Sequence, residues 1–291
     1  MLKKQSVLSS PRLVELEKKK QKKIKTKIII ILIIFFLVLL GISFTSRIPA
    51  FNINNVIISG NKIIETKEIK DVVETKIAGH YLWLFPKTNF IIYPKNKIKT
   101  ELENRFKRIK DIFIDNKDIK TLKVSISEYE GKYLWCGILI PVLRSNLDNN
   151  KCYFLDSDGY IFDEAPYFSG SVYFKLYGNS NLNEINPSGS YFLKNNFSKI
   201  IEFKNTIEKL DLKPTAFWID ENREEGNFSI SGEPGISPKI IFKIDGDYQK
   251  LVENLQAAIS TEPLRTDLKN KFSSLLYIDL RFGNKVYYKF Q

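Results

Sequence analysis

Seventeen consecutive positions, Ile28 to Phe44, carry apolar or small side chains without one charge, and Thr45 and Ser46 extend the uncharged run to 19 residues. A helix rises about 1.5 Å per residue, so the run nearly crosses a hydrocarbon layer of about 30 Å. It lacks the polar position every third or fourth residue that the core helix of a water-soluble domain requires. It is also longer than the roughly 7 to 15 apolar residues of a secretory signal, and Ser46-Arg47-Ile48-Pro49-Ala50 offers no small-x-small cleavage site. The pattern predicts an uncleaved transmembrane helix over 28–46, with a cleaved signal as the alternative.

Beyond the span the periodicity changes. Val56 to Ser59 reads as a short strand ended by Gly60-Asn61. Thr66 is placed to cap a helix whose apolar positions Ile69, Val72, Val73 and Ile77 recur at helical spacing. Pro94 announces a second helix, carried by Ile98, Leu102, Phe106 and Ile109. Ile112 and Ile114, then the alternating Leu122, Val124 and Ile126, predict two further strands. Strand, helix, helix, strand, strand over 51–128 makes an α+β domain with helices on one face of a three-stranded sheet.

A second domain, 129–291, reads as a mostly antiparallel sheet with one or two packed helices. Its expected strands include Tyr133 to Cys136, Cys152 to Leu155, Tyr160 to Phe162, Ala216 to Ile219, Phe228 to Ser231 and Ile240 to Ile244. Helices are predicted through Phe197, Ile200, Ile201, Ile207 and Leu210, and after a cap at Asp247 through Leu251, Leu255 and Ile259. Gly283-Asn284 joins Leu275 to Phe282 with Lys285 to Phe290 as a closing hairpin, after which only Gln291 remains and no tail is expected.

Charge fixes an orientation. Residues 1–27 hold ten Lys or Arg against Glu15 and Glu17, whereas only Arg47 and then Lys62 stand just past the span. The positive-inside rule keeps this basic tail in the cytoplasm and places the rest outside. Of the formal net charge of +12, the tail supplies 10 − 2 = +8, leaving +4 for the remainder. The excess is therefore a topology and anionic-lipid signal, and no nucleic-acid footprint is expected. Hydrophobic residues at 43% and aromatics at 13% argue against disorder. Cys136 and Cys152, in a compartment that permits oxidation, either pair across a hairpin or remain two buried thiols.

Catalytic chemistry finds little support. His80 is the single histidine and there is no G-x-S-x-G elbow, so a Ser-His-acid triad would hang on one residue inside the aromatic stretch Gly79-His80-Tyr81-Leu82-Trp83. Glu128 and Glu130 alternate onto one strand face, which a solvated strand end explains equally well. Asp156, Asp158, Asp163 and Glu164 return to strand too soon for a twelve-residue calcium loop, and Asp158-Gly159 reads as a hairpin turn. No catalytic residue, metal, cofactor or small-molecule substrate is expected. A membrane-tethered envelope hydrolase remains as one alternative.

Several stretches together resemble a family. The basic tail and span, Val56-Ile57-Ile58-Ser59-Gly60-Asn61, the stretch Gly79 to Phe85, Leu122 to Glu128, Trp135, Tyr153 to Phe162 (YFLDSDGYIF) and Tyr277-Ile278-Asp279-Leu280-Arg281-Phe282 are similar, in this order, to the FtsQ/DivIB family of bacterial cell-division proteins. Asp118, near where the family usually has a proline, and the long polar loop Leu139 to Lys151 depart from its pattern. The resemblance implies that the first outer domain is a POTRA domain. It also implies a non-enzymatic plasma-membrane scaffold enriched at the division septum. Its implied partners are the single-span coiled-coil proteins FtsB/DivIC and FtsL. One of their strands would dock at the last hairpin, through Arg281, Phe282, Asn284, Lys285, Val286, Tyr287 and Tyr288. Export or outer-membrane assembly proteins with POTRA-type units are the other alternative, though those usually carry several units or a lipid-facing barrel.

Overall fold

The computed structural model describes residues 11–143, 151–168, 172–179, 181–220 and 224–291. The first ten residues of the basic tail and most of the polar loop between Leu139 and Lys151 lie outside the described residues. The chain divides into two compact units, Met1–Asn104 with Asp111–Ser127, and Arg105–Lys110 with Glu128–Gln291.

In the first unit, helix α1 (Pro11–Ser46) carries the apolar run, and its part from Lys18 to Ser46 is long and apolar enough to span a membrane. The side chains of Ile28 to Leu37 are all exposed, as a lipid-facing helix requires and a soluble core helix forbids. The hydroxyl of Thr45 donates back to the carbonyl of Ile42 at 2.9 Å, so its polar group is satisfied inside the helix.

Strand β1 (Asn55–Ser59) leads to α2 (Thr66–Ile77), a small hairpin of β2 (His80–Tyr81) and β3 (Phe85–Pro86), then α3 (Lys95–Arg105), β4 (Ile109–Asn116) and β5 (Thr121–Glu128). The larger sheet runs β1-β5-β4, with β1 parallel to β5 and Ile58 opposite Val124. Ile69 and Val73 from α2, Ile98 and Leu102 from α3, and Leu122 and Val124 from β5 are all fully buried. Gly60 turns the chain out of β1 at φ +87°, and a Cβ there would collide with the Ile126 carbonyl oxygen, so the position admits only glycine.

Two expectations for this unit need correction. Thr66 is the first helical residue rather than the cap; the cap position is Glu65, which makes no side-chain cap bond. The Thr66 hydroxyl instead accepts from Asn61 Nδ2 at 3.0 Å, tied to the turn that precedes the helix. The second helix ends at Arg105, so Phe106 lies beyond it and Ile109 opens β4. A three-residue apolar spacing fits both a helix and a turn entering a strand, and here the Ile109 N–H bonds the Phe106 carbonyl at 3.0 Å to make that turn.

The second unit is built on β6 (Tyr133–Trp135), β7 (Cys152–Leu155), β8 (Ile161–Ala165), β9 (Phe174–Tyr177), β10 (Pro214–Asp220), β11 (Glu225–Ile230), β12 (Lys239–Lys243), β13 (Leu275–Phe282) and β14 (Lys285–Phe290). They form one mostly antiparallel sheet in the order β14-β13-β12-β11-β10-β9-β6-β7-β8. Helices α4 (Phe197–Lys209), α5 (Tyr248–Ser260) and α6 (Leu264–Lys271) accompany it. Alternation sends Phe217, Phe228, Phe242 and Ile278 into one core with Ile200, Phe203 and Leu255 of the helices. Phe203 meets the ring of Phe242 edge-on at 5.2 Å, the orientation that aligns a positive ring edge with a negative face. The sequence pattern signals neither strand β9 nor helix α6; β9 runs parallel to both β6 and β10 and joins the antiparallel group β6-β7-β8 to the rest of the sheet, in which β12 and β13 are also parallel.

Cys136 and Cys152 form a disulfide. The register decides it: Trp135 sits opposite Tyr153, so the next facing positions are the two cysteines, with Cα atoms 4.2 Å apart. Closing a loop of 16 residues restricts the unfolded chain by about 3 kcal/mol. The neighbouring acids serve structure. Asp156 Oδ1 accepts from the N–H groups of Asp158 and Tyr160 at 2.9 and 2.8 Å, fixing the turn at Gly159, and Asp163 is bonded by Arg108 at 2.8 Å.

In β5, Val124 is fully buried while Lys123 is exposed. Val124→Asp puts a carboxylate among aliphatic side chains and is expected to cost more than about 4 kcal/mol, close to the whole stability of a small unit. Limited proteolysis of the full chain in detergent should then cut between residues 51 and 128 at sites resistant in the parent, whereas Lys123→Ala should leave the pattern unchanged. Parental resistance in Val124→Asp would place that side chain on the solvent face.

Candidate functional site

The nine-stranded sheet has two ends of different character. At the β8 end, Gly189 donates to the Ile161 carbonyl at 2.7 Å and the Ile161 N–H donates to the Ser190 carbonyl at 2.8 Å, so a passing segment covers the first residue of that strand. At the other end β14 pairs with β13, and no described strand lies on its outer side. Every second residue of β14 is exposed. A strand so placed offers a row of N–H and C=O groups to another strand.

Side-chain direction follows from the register. Tyr277, Asp279 and Phe282 of β13 stand opposite Lys289, Tyr287 and Lys285 of β14. Val286, Tyr288 and Phe290 pack partly buried against the helix-covered core, which leaves Lys285, Tyr287 and Lys289 on the opposite face. Between the pairs Asp279–Tyr287 and Phe282–Lys285 the register shifts, with Leu280 and Arg281 facing Val286 alone. This bulge re-aims Phe282. Its ring lies edge-on to Tyr287 with centroids 5.1 Å apart, and the two rings are 54% and 48% exposed.

Arg281 stands beneath this pair. Its Nε donates to Asp279 Oδ1 at 2.8 Å, a second nitrogen bonds the other carboxylate oxygen, and the third reaches Glu225 on β11. The two carboxylates are 4% and 7% exposed as residues, and their hydrogen bonds, that of Asp279 foremost, together with their charge hold the Arg281 guanidinium above its ordinary pKa. One cation thus links β13 to β11 across β12. The guanidinium carbon also lies 5.5 Å from the centre of the Phe282 ring, within cation–π range. Arg281 is therefore engaged inside the unit and braces the Phe282 ring of the aromatic pair.

The turn has its own tie. Gly283 adopts φ +64° beside Asn284, and its carbonyl accepts from Asn254 Nδ2 of α5 at 2.6 Å. The seven residues read as a partner site thus fall on one hairpin, in three groups. Phe282, Tyr287 and Lys285 present side chains on the helix-free face. Val286 and Tyr288 present backbone while their side chains face the core, and Arg281 and Asn284 belong to the support and the turn. Two supporting residues carry no local signal in the sequence. Glu225 lies 56 positions from Arg281 and is brought there by sheet order alone, and Asn254 belongs to a helix read only for its apolar face.

The chain matches no known family model and no curated protein sequence.

Removing the Arg281 side chain leaves two buried carboxylates facing each other without a counter-charge. Arg281→Ala should lower the stability of the second unit by about 3 kcal/mol, while truncation of the exposed ring in Phe282→Ala should stay within about 0.5 kcal/mol. Thermal unfolding of the two variants separates these outcomes, and an Arg281→Ala protein as stable as the parent would free Arg281 from the supporting role.

Proposed function

We propose that this chain is a bitopic, non-enzymatic scaffold of the bacterial division machinery, similar to the FtsQ/DivIB family. Its tail would lie in the cytoplasm and both compact units outside, concentrated at the septum. Partners would be FtsB/DivIC-like and FtsL-like single-span coiled-coil proteins. The basic tail before an apolar helix supports the anchor and its orientation. The order β1-α2-α3-β4-β5, with β5 in the middle of a three-stranded sheet, supports a POTRA reading of the first unit.

The observation that carries the proposal is the open outer side of β14 beside the exposed Phe282–Tyr287 pair. In this reading a partner strand extends the sheet. Its backbone bonds to β14 supply affinity, and the two rings choose among side chains on one face. Lys285 and Lys289, on that same face, keep the edge from pairing with copies of itself by repulsion. Neither alternative gains support from the geometry. His80 lies exposed on the two-residue strand β2, and around the β7–β8 turn Asp156 is bonded to backbone and Asp163 and Glu164 to cations.

The test is capture of the coiled-coil division proteins of the same cell by the detergent-solubilised full chain. Val286→Pro removes one backbone donor and adds a ring that an edge strand tolerates better than a central one; the variant should remain folded and lose its partner. Phe282→Ala should weaken capture by more than about 1 kcal/mol, roughly fivefold or more. Undiminished capture by a folded Val286→Pro chain would take the edge out of the mechanism.

A further inference from the structure

The hairpin β2–β3 turns through Leu82 and Trp83, with the Leu84 N–H bonded to the Tyr81 carbonyl at 3.0 Å. Both central residues adopt left-handed backbone, φ 48° and 64°. Such turns select Asn and Gly, because a side chain at positive φ is strained. Here two of the largest apolar side chains occupy the positions, and both point into solvent, 84% and 90% exposed. Neither packing among the described residues nor turn chemistry accounts for them.

Their location does. The Leu84 carbonyl accepts from the Ser43 hydroxyl at 2.8 Å, and the Trp83 carbonyl accepts from the Arg47 guanidinium at 2.7 Å. Ser43 is itself buried by the contact, although it belongs to the apolar run. Ser43 and Arg47 are one helical turn apart, so the hairpin tip is strapped alongside the last turn of α1. With Ile28 at the inner margin of a hydrocarbon layer about 30 Å thick, a rise of about 1.5 Å per residue puts this last turn at the outer margin. Other exposed apolar side chains gather at the same level: Phe44 on the helix, then Ile48 and Phe51 directly after it. Phe51 is stacked on Phe90, next to the exposed Ile91.

We infer that the β2–β3 tip is a second membrane contact, with Leu82 and Trp83 inserted into the interfacial layer of the bilayer that α1 crosses. An indole has an apolar body and a polar N–H, which suits it to the boundary between headgroups and acyl chains. Arg47 serves two purposes at this depth, since its guanidinium binds the turn carbonyl while lying where anionic headgroups are available. The contact would hold the first unit at a fixed height and rotation about the helix axis, which a single spanning helix alone does not do. This inference rests on α1 spanning the bilayer and is independent of what binds at β14.

The test uses the full chain reconstituted in phosphatidylcholine–phosphatidylglycerol vesicles whose acyl chains carry bromine close to the headgroup. Trp135 and Trp218 are 1% and 8% exposed within the second unit, so the difference between the parent and Trp83→Phe isolates position 83. The parent emission should be quenched by shallow bromines more than by bromines near the bilayer centre, and Trp83→Phe should abolish that excess. Alkaline carbonate extraction of the same vesicles reports the anchor separately. Retention with equal quenching in parent and variant overturns the hairpin contact alone, including the case in which a protein partner covers the tip. Release by carbonate overturns the spanning helix and the inference with it.

Discussion

Among the described strands β14 pairs with β13 alone, so whatever positions β13 positions the edge. That role falls to Arg281, which joins the carboxylates of Asp279 and Glu225 and so ties β13 to β11 over the intervening strand. Charge removed from water is costly unless opposed and hydrogen-bonded, and here a planar donor meets one carboxylate in two-pronged fashion and still reaches the second. The same residue sits in the bulge that turns Phe282 toward Tyr287. The exposed aromatic pair and the open backbone therefore stand on a fixed base, while Asn254 secures the turn from the helix side.

Unsatisfied polar groups organise the rest of the molecule by the same rule. Along α1 the backbone closes on itself, and from Ile28 to Leu37 only apolar side chains face outward. At its end, Ser43 and Arg47 spend their donors on carbonyls of the β2–β3 turn. At the β8 end of the large sheet a passing segment bonds both backbone groups of Ile161, a cover that no described strand gives to β14.

Legibility in the sequence followed the strength of the local signal. The capped helix after Asp247 and the hairpin at Gly283-Asn284 each combine a pattern with a terminator, and the structure has both within a residue or two; the helix of the apolar run ends at Ser46 as its pattern predicts but starts at Pro11, since the lysine-rich stretch before Ile28 is helical too. Asp247 does accept from the Lys250 N–H at the helix start. Where a pattern lacked a terminator it ran on, as in the second helix, whose spacing continued through Phe106 and Ile109 into β4. Thr66 looked like a cap because its type suits one, but Asn61 had already engaged its hydroxyl. The pairing of the two cysteines needed the β6–β7 register, and the partners of Arg281 needed strand order. Such relations between distant segments leave no trace in a window of ten or fifteen residues. The strain at Leu82 and Trp83 was equally invisible, because side-chain type does not reveal the sign of φ.

The described residues combine an apolar helix long enough to span a membrane, a small α+β unit and a large sheet whose β14 edge carries no further described strand. The central claim is that the outer side of β14 receives a partner strand. Amide hydrogen exchange on the full chain, free and with the proposed coiled-coil partner bound, reads that side directly. The account predicts that amides between residues 285 and 290 that point away from β13 exchange rapidly in the free protein and become protected in the complex, with little change along β8. Unaltered exchange across 285–290 in a saturated complex would contradict it.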